Sequence, residues 1–201
     1  MKEVHFEPGI KSKIAIVFSC PGRLEQNAIP PGPAKGETGE NLRKVLSILT
    51  QQYGLDGYTR PEITITNSWS KVEFDSTGGT GRSEATIEEI ITPENLDRLS
   101  SEIGTINHYI FASGVNATIA CNVLQYSGKL DLQVKIIELH HLGNRSINQI
   151  NIDKNGNKII VYKKASDRPS EELRSIKQIK KDNKQARLEK IAFDLYLKIS
   201  E

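Results

Sequence analysis

Few side chains in this sequence could carry chemistry, and they are widely spaced: Ser19 and Cys20, Glu25 and Glu37, Asn67, and the adjacent His140 and His141. Cys20 with His141 would supply a thiol and an imidazole, the parts of a nucleophile and its base. No recognisable nucleophile turn surrounds Cys20, however, and a small buried thiol is the plainer account of it. His140 and His141 alone offer too few ligands for a metal ion. Cys20 and Cys121 are the only cysteines in 201 residues, so neither a disulfide framework nor a four-cysteine zinc or iron–sulfur site can be built. Phosphate signatures are missing as well: no GxxxxGKS/T run occurs, and Gly78-Gly79-Thr80-Gly81 lacks the strand before it and the helix after it that a dinucleotide loop needs. No metal and no cofactor is expected.

The elements that must position these residues alternate between strand and helix. Ile14–Phe18 is apolar enough for a strand buried on both faces. It stops at Ser19-Cys20-Pro21-Gly22, where proline removes a backbone donor and glycine frees the chain to turn. A loop rich in proline and glycine follows, carrying Arg23, Glu25, Asn27, Lys35, Glu37 and Glu40. After Thr38 it returns into a helix with Leu42, Val45, Leu46 and Leu49 inward, broken by Gly54, Asp56 and Gly57. Further strands are expected at Glu62–Ser68, His108–Ser113 and Val134–Leu139, and further helices at Glu88–Ile103, interrupted near Pro93, and at Ala117–Leu124. Asp75–Ser83, DSTGGTGRS, is a flexible loop by composition, and Met1–Ser12 is a lead-in with little periodicity. This alternation implies parallel pairing with right-handed crossovers, hence an α/β fold: a three-layer α/β/α sandwich around a central parallel sheet of about four strands. Gly22 and Glu25, Asn67, Gly114 and His141 then all fall at C-terminal strand ends, along the one sheet edge where open α/β folds place their ligands.

Beyond His141 the pattern changes. Ile147–Lys164 is patterned as a hairpin around Lys154-Asn155-Gly156-Asn157, Ser166–Pro169 as a linker, and Ser170 as the cap of a long helix reaching Ser200. Leu173, Ile176, Ile179, Leu188, Ile191, Leu195 and Ile199 give that helix an apolar side; Lys177, Lys180, Lys181, Lys184, Arg187 and Lys190 give it a basic one. The chain thus divides into an α/β domain, 1–148, and a C-terminal hairpin and basic amphipathic helix, 149–201, packed on the same domain. The basic side is either a solvated face or a contact for the DNA backbone. Composition, 37% hydrophobic and 26% charged, is that of a globular chain, and the net charge of +2 is too small to imply nucleic acid by itself, so any basic footprint must be local. No apolar run approaches the roughly 20 residues that span a bilayer, and the N-terminus lacks the layout of a secretory signal. A cytoplasmic monomer with no membrane partner is expected.

Taken together and in order, Ser19-Cys20-Pro21-Gly22, Gly36-Glu37-Thr38-Gly39, Ile65-Thr66-Asn67, Ala112-Ser113-Gly114 and His141–Ser146 resemble the uracil-DNA glycosylase superfamily, most of all its bacterial and archaeal branches. The resemblance runs from Ile14 to about Asn148. It implies a parallel sheet of about four strands between helices and an enzyme that extrudes a base from the stack and reads its edge in a pocket. Asn67 matches the family's base-reading asparagine, whose amide suits a uracil-like or a cytosine-like edge depending on how it is pinned. His141 matches the histidine that donates a hydrogen bond to the leaving base, with a one-residue shift to His140 left open. Gly143–Ser146 matches the loop that presses into the duplex, with Arg145 at the wedge position and Asn144 and Ser146 beside it. Gly114, Arg23 and Lys35 are further candidates for DNA contact, and Ser19, Cys20 and Gly22 line the implied base pocket.

Two departures from the family pattern shape the expected activity. Members often carry Asp, Glu or Asn in the first motif to hold water; here Ser19 and Cys20 stand there, and neither is a base at neutral pH. Glu37, after Gly36, is the first candidate for a substitute carboxylate and Glu25 the second, while Glu37 and Glu40 equally suit the positive end of the following helix. The tyrosine that narrows the pocket of strict uracil enzymes is replaced by Gly22, and the aromatic that stacks on the base in iron–sulfur members by Ala34. Both replacements enlarge the pocket. The implied activity is therefore a monofunctional DNA glycosylase acting on a flipped-out pyrimidine, with a bulky 5-modified cytosine of phage DNA as the substrate and antiviral defence as the role. Uracil excision in repair and a catalytically silent nucleic-acid-binding module are the alternatives, and Arg23, Asn27 and Lys35 are expected to hydrogen-bond the substituent.

Overall fold

Ile14–Phe18 is buried at every position, and the sheet grows outward from it. The structure is a computed structural model that describes residues 4–75, 77–162, 167–169, 172 and 174–201. Its strands are β1 (Phe6–Glu7), β2 (Ile14–Phe18), β3 (Thr64–Asn67), β4 (Tyr109–Ser113) and β5 (Lys135–Leu139), in the spatial order β1-β3-β2-β4-β5. β2 pairs in parallel with β3 and with β4, and β4 in parallel with β5. β1 runs antiparallel to β3, with Phe6 opposite Thr66.

The unbroken apolar run of β2 follows from having helices on both sides. Ile14, Ile16 and Phe18 join a core with α2 (Gly36–Tyr53) and α7 (Ile176–Ser200). Ala15 and Val17 join a second core with α3 (Ile87–Ile90), α4 (Pro93–Ile103) and α5 (Val115–Tyr126). Two short helices complete the described residues, α1 (Arg23–Asn27) and α6 (Asn144–Ile147). Leu42, Val45, Leu46 and Leu49 form the buried stripe of α2 as their spacing predicts, and Gly54 ends that helix at φ +68°.

Several expectations need correction. The lead-in contains β1, too short at two residues to show a period. The expected 88–103 helix is two, because Pro93 has no N–H to continue a helix and instead opens the first turn of α4. Among the described residues the expected hairpin is a single bridge, Ile152 with Lys158, and its Lys163 and Lys164 lie outside them; the Asp153–Asn157 turn forms, but Ile160 beyond it gives its carbonyl to Asn183 Nδ2 of α7 (2.8 Å). α7 begins at Ile176, where Ser175 Oγ accepts from Gln178 N (3.1 Å). The linker's Ser166, the cap assigned to Ser170, and Leu173 lie outside the described residues. Arg187 does not belong to the basic side: it is buried and donates to Ile150 O (2.9 Å) and Asn148 Oδ1 (3.1 Å).

The 75–83 loop is anchored rather than free, by an acid that the sequence gives no reason to single out. Glu73 is buried and accepts from Trp69 Nε1 (3.0 Å), from Arg82 Nε (3.0 Å) and Nη2 (2.7 Å), and from Thr80 Oγ1. These bonds, Arg82 foremost, pull its carboxyl down to about 2 against the cost of burial. Arg82 also pairs with Glu89, so the loop is tied to the start of α3. Among the described residues no helix is long and apolar enough to cross a membrane.

Candidate functional site

From β2 the chain moves one way to β3 and then crosses to the other side for β4, so the loops leaving β2 and β4 diverge. At that crevice lies a cleft of about 180 Å³. The first loop contributes Ser19, Cys20, Gly22 and Glu25 to it, the end of β3 Asn67, and the turn after β5 His141. These were the expected catalytic and base-binding residues, all but one. Glu37 is exposed on the first turn of α2 and does not line the cleft.

The Gly36-Glu37-Thr38-Gly39 stretch explains that division. A Cβ on Gly39 would lie 1.9 Å from Ala34 O, so only glycine lets α2 start this close to the loop. Thr38 consequently lines the cleft, and Glu37 points to solvent at the positive end of α2. Glu25 faces inward from α1, its carboxylate accepting from Gly22 N (3.1 Å) and Lys35 N (3.2 Å). It thereby ties together the two ends of the proline-rich loop. Arg60 holds the same loop from outside, donating to Pro33 O (2.9 Å) and Ala34 O (3.2 Å) while it pairs with Glu7 of β1.

Asn67 is 2% exposed. Its Nδ2 donates to His5 O (3.3 Å), and its own carbonyl accepts from Arg98 Nη2 (3.0 Å), which in turn belongs to a network of Arg98, Glu102, His5 and Thr66. Asn67 Oδ1 has no partner among the described residues. The N-terminal segment thus pins the amide from behind.

His141 Nδ1 accepts from Gly143 N (3.0 Å). Burial holds the imidazole below its ordinary 6.5, with nearby Glu84 working the other way. A neutral ring that accepts at Nδ1 carries its proton on Nε2, so His141 is a hydrogen-bond donor from that atom. Asn41 of α2 fixes the turn by donating to Leu142 O (2.8 Å) and Asn144 Oδ1 (3.2 Å). Gly114, at φ +100°, lets the end of β4 pass close by: a Cβ there would meet Ser19 Oγ at 3.0 Å. The two adjacent histidines are placed differently. His141 lines the cleft, whereas His140 is exposed and lies 3.1 Å from Ser146 Oγ.

Cys20 is a thiol and not a thiolate. Burial, with Glu84 and Glu73 nearby, pushes it up to about 12, and Sγ donates to Ser83 O (3.4 Å). Arg23 and Asn27 are exposed and Lys35 half-buried, and none of the three side chains lines the cleft. Arg145 is exposed on α6, with Asn144 and Ser146 spent on the bonds just given. The sequence reading missed Glu84, which with Ser83 and Thr38 completes the wall. Glu84 leaves no strand end, and no signal in the sequence marks it out; the Glu73–Arg82 pair that fixes the loop just before it is visible only in the structure. Among the described residues no three His, Cys, Asp or Glu side chains gather as a metal site would require.

No family model matches the chain, and no curated protein matches it either. The chemistry of the cleft therefore stands on its own geometry: one amide oxygen, one neutral imidazole donor and two carboxylates, Glu25 and Glu84, with Phe18, Gly22 and Ala34 beside them.

Proposed function

We propose that the protein is a monofunctional DNA glycosylase that hydrolyses the N-glycosidic bond of a flipped-out pyrimidine enlarged at its 5-position. The observation that carries this reading is the convergence of Asn67, neutral His141 and Glu25 on one cleft at the point where the strand order reverses. An amide reads the edge of a planar base, and an Nε2–H donor stabilises the charge that the base acquires as it departs with the bonding electron pair. Glu25 orients the water that adds to the sugar carbon and takes its proton. The resemblance named Glu37 first for that task; Glu25 takes its place because it alone of the two reaches the cleft.

Gly22 and Ala34 leave two positions on the wall without a closing side chain. A cleft for unsubstituted uracil gains nothing from that room, because an underfilled site loses packing contacts. This reading assigns that room to the substituent of a 5-substituted cytosine of phage DNA, with antiviral defence as the role. Outside the cleft, Arg145 on α6 and the exposed lysines of α7, Lys177, Lys180 and Lys181, are available for the duplex.

The test is incubation with genomic DNAs of differing base modification, followed by assay of abasic sites and released bases. Abasic sites in DNA with 5-substituted cytosine are the expected result. Efficient uracil release with inertness toward every 5-substituted pyrimidine makes the protein a repair enzyme instead, and DNA binding without any abasic product makes it a binding module.

A further inference from the structure

Among the described residues, the wall of the cleft carries side-chain acceptors and no side-chain cation. Glu84 is its second carboxylate, placed on the rim by a loop that is itself held rigidly: Glu73 fastens Thr80 and Arg82 just before it, and Asn116 Nδ2 donates to both Glu84 Oε2 (3.3 Å) and Ala85 O (3.1 Å) just after. Arg82 is spent on Glu73 and Glu89. Glu84 forms no ion pair among the described residues. A second acceptor lies deeper: Asn67, almost fully buried, lines the cleft and gives its Nδ2 to His5 O, which leaves its Oδ1 without a partner among the described residues. The field of Glu84 reaches across the cleft, since it is felt at both Cys20 and His141.

We propose that Glu84 is the specificity residue of this cleft: with Asn67 Oδ1 it accepts hydrogen bonds from amine and hydroxyl groups of the occupant, admitting a base whose exocyclic and 5-substituent groups are donors and refusing one with an anionic substituent. A carboxylate is matched by N–H and O–H donors and is left desolvated and repelled by a carboxylate or phosphate. Cytosine offers an exocyclic amine where uracil offers a carbonyl, and a hydroxymethyl or sugar substituent adds hydroxyl donors. The assignment rests on the base-excision reading for its substrate, but the preference itself belongs to the cleft and is measurable without catalysis.

Wild-type protein, Glu84→Gln and Glu84→Ala are compared in two assays. The first measures single-turnover excision from duplexes carrying one 5-hydroxymethylcytosine or one 5-carboxylcytosine; the second measures calorimetric binding of the two free nucleosides. The expected result is a preference for the hydroxymethyl form in wild type that falls about tenfold in Glu84→Gln, chiefly because the carboxyl form gains. A merely catalytic Glu84 would slow both substrates alike and leave the ratio unchanged. Excision with an unaltered ratio in both variants overturns the assignment and leaves the glycosylase reading intact. A Glu84-dependent preference in nucleoside binding without excision of any base upholds the assignment and removes the glycosylase reading. Absence of a Glu84-dependent preference in both assays overturns it outright.

Discussion

Glu25 and Glu37 make the sharpest contrast between neighbouring carboxylates. Both sit near a helix start, but Glu25 is fastened to the N–H groups of Gly22 and Lys35 inside the cleft, while Glu37 faces solvent. Glu25→Gln is expected to slow single-turnover excision by roughly 10²–10⁴, the usual worth of a positioned base. Glu37→Gln is expected to leave the rate within about twofold, since an exposed first-turn carboxylate contributes only a small helix-dipole effect. Comparable losses in both variants would remove Glu25 from its role. His141 carries a second expectation, in pH. Burial lowers its folded-state value below 6.5, so the neutral ring persists as pH falls through 6.5; protonation at lower pH keeps the Nε2–H but turns Nδ1 into a donor facing Gly143 N–H, which breaks the bond that orients the ring. The excision rate of wild type is therefore expected to hold through pH 6.5 and then fall, and His141→Ala is expected to lose this acid limb. The linkage has the same sign: below 6.5 the unfolded chain takes up the proton first, so this residue's share of stability drops as pH falls from 6.5 toward the lowered value.

At the scale of elements, the close approaches at Gly39 and Gly114 explain why two helices begin where they do. Gly114→Ala imposes a side chain at φ +100° and presses it to 3.0 Å from Ser19 Oγ. Chemical denaturation is expected to show a loss of about 1–3 kcal/mol, the range for a residue held in an unsuitable backbone region. The Glu73 anchor predicts an acid response of a different kind. Its carboxyl, ordinarily near 4.5, is held down to about 2, so its stabilisation is complete above 4.5 and is lost as pH falls through that window. Limited proteolysis between Phe74 and Ser83 is expected to accelerate there while the sheet persists. The buried strands and the α2 stripe were legible in sequence because apolar pattern and burial agree over four or more residues. β1 was not, because two residues have no period, and the anchored loop was not, because its Gly and Ser content looks the same whether or not a buried acid fastens it. Glu84 was hidden for that same reason.

Across the whole molecule, the strand order explains why residues as far apart as Ser19, Asn67 and His141 meet. The alternation of strands and helices was enough to place them on one edge; it could not say which side chains turn inward, and so could not separate Glu25 from Glu37 or foresee that Arg23 and Asn27 point away. The C-terminal part is joined to the rest by shared packing. Leu188, Ile191, Ala192 and Leu195 of α7 lie in one core with Ile16, Phe18 and the stripe of α2. Truncation after Asn148 is therefore expected to abolish cooperative urea unfolding rather than to release an intact α/β domain, and a truncated chain that unfolds with the native midpoint would contradict this.

The antiparallel edge strand has a practical consequence for how the protein is handled. The carbonyl of His5, one residue before β1, is what holds the amide of Asn67. An affinity tag fused close to that residue, or an N-terminal clip that removes it, acts on the back of the Asn67 amide without touching the cleft. Such a preparation would keep the parallel sheet, yet the Asn67 amide would be free to turn over, and the two ends of that amide ask for opposite partners. Choice between bases, more than speed, would then vary from one preparation to the next.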